Sequence, residues 1–332
     1  MTKAEDAYAA GRVMQLAVRV YGWCMLSMLP VYFINNYLIY SHGWPGIKPV
    51  FFADKAAYTS WLQLAFYGVA IVVVCIYVFA TSGRHLRDEA GMITRFNAYL
   101  TRAAFWAVLM IGIVDATISL LRVEDLLPYI FGDQMVNNLS LVHFRGPYIH
   151  IPLMIAGLLI ALRTRTLGFH WLALGVVLSE LLIVISRFIF SYEQALMGDL
   201  VRFWYAALFL FASAYTLIEE GHVRVDVFYA GFSNKTRGFV NAVGTLFMGI
   251  TLCWVILFVG LGTKASIIYS PVANFETSPS GFGMQVKYLM AAFLGVFAIT
   301  MLIQFVSYLM EAVADYLEQP GHQDHEASPS AG

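Results

Sequence analysis

Eight long apolar runs constrain this chain more than any other feature. They lie at about 18–40, 59–81, 103–121, 148–162, 168–190, 201–218, 239–262 and 286–312. A helix that crosses a bilayer needs about 20 predominantly apolar residues. The fourth run is short and holds Pro152, so its helix is expected to begin earlier, near Leu141. Hydrocarbon offers no partner to backbone N–H and C=O groups, so each span must be a helix that bonds to itself. The expected fold is therefore all-α and polytopic, with about eight transmembrane helices.

Composition supports lipid as the main solvent. Apolar residues make up 60% of the chain and charged ones 12%, against roughly 25% charged in soluble domains. The net charge of −1 and the lack of a basic arm argue against a nucleic-acid partner. The first apolar run is too long for a signal-peptide core and no clear cleavage pattern follows it, so it reads as a retained first helix. Cys24, Cys75 and Cys253 all sit in apolar runs with no Cys-x-x-Cys pair. They read as small embedded side chains, not as a disulfide framework or a zinc site.

Lys and Arg in short loops orient such a protein. With eight spans, Lys3, Arg12, Arg84, Arg87, Arg95, Arg102, Arg163, Arg165, Arg224, Lys235 and Arg237 fall on one side. Lys48, Lys55, Arg122, Arg145, Lys264 and Lys287 fall on the other. The excess places both termini in the cytoplasm. The segment 41–58, with Trp44, Pro45 and Pro49, and the segment 263–283, with Pro271 and Pro279, read as outer loops. The polar tail, residues 318–332, is expected to be disordered.

Ionisable residues near a span centre cost about 2.5–3.5 kcal/mol on insertion scales, and by default they are functional candidates. Asp115 in the third span and Glu180 in the fifth are the clearest cases. The plainer reading of each is an interhelical hydrogen bond or ion pair that fixes packing. Glu180 and Arg187 share a helix face but stand about 10.5 Å apart along the axis, too far to touch directly. Arg19 enters the first span near its cytoplasmic end, where it can snorkel. His143 and His150 flank Pro147 near the membrane edge without an obvious partner, and no facing pair suggests a haem. No Walker A loop, Gly-x-Ser-x-Gly elbow or His-Glu-x-x-His is present, so neither an enzyme nor a cofactor is expected.

One stretch carries more information. Arg187-Phe-Ile-Phe ends the fifth span. Phe203-Trp204-Tyr205 opens an aromatic-rich sixth, which runs into Gly221-His222-Val223-Arg224-Val225-Asp226-Val227-Phe228-Tyr229. The alternation of His222, Arg224 and Asp226 with three valines reads as an interfacial elbow, polar on one face and apolar on the other. This order, with the later Glu276-Thr277-Ser278 and the final span, resembles the small permease subunit of tripartite ATP-independent periplasmic (TRAP) transporters, the DctQ-like family. It is most similar to the branch described as mannitol/chloroaromatic-type. The resemblance covers the last four spans, and usual members have only about four.

The resemblance implies a division into an added N-terminal membrane module (1–166), a four-span small-permease domain (167–317) and a tail (318–332). It implies that Gly221, His222, Arg224, Asp226, Arg187 and Trp204 serve structure and assembly. It further implies a scaffold in the bacterial inner membrane, working beside a large permease that moves a small organic acid with sodium. A periplasmic substrate-binding protein would deliver that acid. The rival expectation is a stand-alone transporter or channel that uses Asp115 and Glu180.

Overall fold

The computed structural model describes residues 3–53, 55–165, 168–218, 229–278 and 283–321, which are helical and without strands. Among these residues, eight helices are long and apolar enough to cross a bilayer. They are α1 (Lys3–His42), α2 (Tyr58–Ala80), α3 (Leu86–Val123), α4 (Val142–Arg163), α5 (Phe169–Phe190), α6 (Ala195–Ile218), α7 (Asn234–Leu261) and α8 (Lys287–Tyr316). The all-α, eight-span reading holds. The fourth helix starts at Val142, beside the Leu141 start expected from its short apolar run. The disorder expected of the tail concerns residues almost all of which lie outside the described ones.

α1, α3 and α7 each begin ahead of their apolar runs. α3 begins at Leu86, so Arg87, Arg95 and Arg102 ride on its first turns and do not lie in a connecting loop. Some polar groups of this segment find partners across the bundle. The Asn97 amide donates to the Thr300 carbonyl at 2.9 Å. α7 begins at Asn234, where the Ser233 hydroxyl accepts from the Thr236 N–H and caps the otherwise unpaired first turn.

The chain forms two compact units. The first comprises Met1–Thr94, Val223–Thr251 and Phe305–Gly332. Within it, α1 packs along α2. Arg19 is fully buried and meets the equally buried Glu89 on two edges, Nη2 to Oε1 at 2.6 Å and Nε to Oε2 at 3.0 Å. The Trp23 indole N–H also donates to Glu89, at 3.0 Å, and Arg19 donates to the Thr81 hydroxyl at 2.7 Å. Arg19 therefore does not snorkel. A carboxylate at its own depth, bidentate and further bonded, holds it inside the unit. Arg87 and Asp315 make a second, half-buried pair at 2.6 Å.

The second unit comprises Arg95–His222 and Leu252–Gln304. Phe105, Ile111, Leu172, Phe203, Trp204 and Phe293 form its core, drawn from α3, α5, α6 and α8. Hydrophobic burial does not drive helices together in lipid, so close packing must. Gly157 of α4 shows this, since a Cβ there would stand 2.8 Å from the Ala107 backbone nitrogen of α3.

Breaking a buried ion pair from one side leaves a bare charge, which costs about 3–5 kcal/mol, whereas apolar replacement of both partners costs little. Arg19→Ala and Glu89→Ala are each expected to lower the melting temperature in detergent more than the double variant Arg19→Met/Glu89→Met. Fluorescence-detected size exclusion after heating measures this.

Candidate functional site

The polar centre of the second unit is built by an irregular stretch of α4. That helix opens with Val142–Arg145, passes through one π-helical turn, Gly146–His150, and continues as Ile151–Arg163. Pro147 and Pro152 lack the N–H that an α-helical ladder needs. The ladder resumes with a longer step, the Ile151 N–H bonding the Gly146 carbonyl five residues back. In a regular helix, Arg145 and His150 would point about 140° apart around the axis. The π turn between them brings residues five apart onto one side, and such turns recur at functional positions.

Both side chains converge on Asp115 of α3. Arg145 Nη1 lies 2.8 Å and His150 Nε2 3.2 Å from Asp115 Oδ1. The other carboxylate oxygen accepts the Gln285 backbone N–H at 2.8 Å. Arg145 also donates to the Ser119 hydroxyl at 3.0 Å and to the Leu139 carbonyl. His150 Nδ1 meets the Tyr288 hydroxyl of α8 at 2.8 Å, with the two rings stacked. An imidazole carrying its proton on Nε2 satisfies both ends, donating to Asp115 and accepting from Tyr288. Asp115, Arg145, His150 and Ser119 are all 0% exposed. The carboxylate thus has three donors and no open face.

The candidates from the sequence fall in different places. Asp115 is the hub of this cluster. Glu180 lies on the exposed side of α5 and bonds to no described residue. The two candidates do not meet. Arg187 ends α5 with its side chain 63% exposed and faces Glu193 at 3.6 Å. Beyond that end, the Tyr192 hydroxyl donates to the Glu124 carboxylate, which holds the phenol above its ordinary range.

Trp204 is a packing anchor. Its indole N–H donates to the Val108 carbonyl at 3.1 Å. The ring seats against Gly112 and Gly175, and a Cβ on Gly112 would fall 2.0 Å from the indole nitrogen. Gly221, His222, Arg224 and Asp226 lie outside the described residues. Glu276, after the outer turn, pairs with Lys287 at 2.5 Å.

Nothing in the sequence pairs Asp115 with Arg145 and His150 directly. Hydropathy and charge place Arg145 in an outer loop and His150 at the membrane edge, whereas both lie in α4 and face Asp115. The available signal was the early start of the fourth span, which draws both residues into the helix. Their shared direction depends on a π turn that a 3.6-residue period does not anticipate.

A cavity of about 330 Å³ lies in the same unit, lined by Ala103, Ala107, Ile111, Phe203 and Phe293, with Thr300 as its polar member. It holds no ionisable group with which to recognise an anion.

The helices and this closed centre define a multi-pass, all-helical membrane protein whose central carboxylate is tied up in packing. Residues 176–314, from within α5 to near the end of α8, match the family model described as "Tripartite ATP-independent periplasmic transporters, DctQ component". Over these residues the chain is similar to a transporter component, the small permease of TRAP transporters, in the same region as the Arg187–Tyr229 resemblance. The helices α1–α4 stand ahead of it as an extended N-terminal region. No curated protein and no solved structure matches the chain.

Arg145→Ala would leave Asp115 buried beside an empty socket and is expected to cost about 3–5 kcal/mol of stability. Tyr288→Phe removes one hydrogen bond and should cost about 1 kcal/mol. Thermal unfolding of the purified variants in detergent orders the two, and equal effects would contradict the hub role of Asp115.

Proposed function

We propose that this chain is the scaffold subunit of a sodium-coupled TRAP transporter that imports a small organic acid. Its partners in that reading are a large permease, which moves substrate and sodium, and a periplasmic substrate-binding protein, which delivers the acid. The observation that carries the reading is the DctQ match across the last four spans. Two features of the second unit support it. Asp115 is saturated with donors, and the cavity beside the core offers no charge to an anion. The rival, a stand-alone transporter or channel using Asp115 and Glu180, would need these two residues on one path.

In this proposal the protein lies in the bacterial inner membrane. The Lys and Arg excess at one set of helix ends and connections supports a cytoplasmic position for both termini. Residues 1–166 widen the scaffold, residues 167–317 are the small-permease part and residues 318–332 are a cytoplasmic tail. The elbow with Gly221, His222, Arg224 and Asp226 orients the spans on either side and contacts no substrate.

Co-expressed with its genomic neighbours, the tagged chain is expected to bring down a large permease. Liposomes holding the chain alone should not accumulate organic acid, whereas the three components together should. Uptake by the chain alone would establish the stand-alone reading in its place. In the same assay Arg224→Ala or Asp226→Ala should reduce assembly and leave substrate preference unchanged. Protease-cleavable tags on the two termini should be cut only after inside-out exposure of the membrane, and cleavage of either from the periplasm would reverse that end.

A further inference from the structure

α5 runs for 22 residues, Phe169–Phe190, and Glu180 sits at its middle, about 15 Å of helix rise from either end. That is the middle of a hydrocarbon core about 30 Å thick. The rest of its surroundings on the outer surface are apolar. Val177, one turn before, is 62% exposed, and Val184, one turn after, is 51% exposed. Arg187 continues the same stripe, already beside Glu193. Glu180 is exposed and bonds to no described residue.

Among the described residues, two other charges at membrane depth are matched internally. Arg19 is matched to Glu89 and Asp115 to Arg145 and His150. Lipid tails supply no donor, and the short glutamate stem does not reach an interface so far away. A mid-membrane carboxylate on an outer face is therefore an unfinished contact.

We propose that the Val177–Glu180–Val184 stripe of α5 is the face on which the large permease docks, through a membrane helix of the permease that carries a cation or amide donor at mid-bilayer depth. This rests on the scaffold reading above and adds the face and the chemistry of the contact. Charge decides against a second copy of this chain as the occupant. A two-fold interface through this stripe would set Glu180 against its own counterpart. The nearest cation on the stripe, Arg187, stands about 10.5 Å further along the axis.

The test places a photo-crosslinking amino acid at Val177 or Val184 in the chain co-expressed with the permease, and compares Glu180→Leu with Glu180→Gln in co-purification. Crosslinks to the permease are expected at both positions. Recovered permease should fall at least ten-fold for Glu180→Leu and less than three-fold for Glu180→Gln, whose amide can still bond a donor. If the unaltered chain recovers permease but Glu180→Leu recovers as much, or if the crosslinks go only to lipid or to a second copy, the docking face is overturned and the scaffold reading stands. If the unaltered chain recovers no permease, both fall. Should Glu180→Leu not elute as a single species, the crosslinks alone decide.

Discussion

A carboxylate at the centre of a membrane helix needs donors from the rest of the molecule, and in the second unit Asp115 finds three. One comes from a guanidinium, one from an imidazole and one from a backbone N–H at the entry to α8. Satisfying it draws α3, α4 and the start of α8 to one point. The π turn of α4 follows from that need together with its two prolines, because a regular helix would turn either Arg145 or His150 away. Tyr288 then closes the far side of the imidazole. With no apolar driving force between helices in lipid, such bonds and close contacts like Gly157 on α3 hold the packing.

The first unit solves the same problem with a different pair. Arg19 and Glu89 meet edge to edge and are closed off by Trp23 and Thr81. In neither unit does the described polar centre open onto a path lined with charge. Residues 176–314 are similar to the small permease component of TRAP transporters. Glu180 departs from the pattern by facing outward.

Much of the fold was legible in the sequence because lipid imposes a simple rule. A run of apolar residues of sufficient length must be a helix, and eight such runs predict eight helices whatever packs against them. The boundaries were less legible. Arg95 and Asn97 lie in a polar stretch that hydropathy reads as a loop, yet α3 runs through it and Asn97 bonds to the Thr300 carbonyl. The site was half legible. Asp115 stood out as a charge in an apolar run, whereas Arg145 and His150 sat next to prolines and resembled loop residues.

The sequence by itself determined the solvent, the number of spans, the candidate charges Asp115 and Glu180, and the order of residues 187–229 that resembles a small permease. These depend on composition, run length and local motifs, all of which are properties of the chain read in one dimension. Only the tertiary structure decided which charge faces which. Asp115 turned inward to Arg145 and His150, Arg19 inward to Glu89, and Glu180 outward. The physical reason is that the partner of a buried charge is set by helix rotation and by local departures from the 3.6-residue period. Both are fixed when helices pack against one another, and neither is recorded in the hydropathy of any single helix.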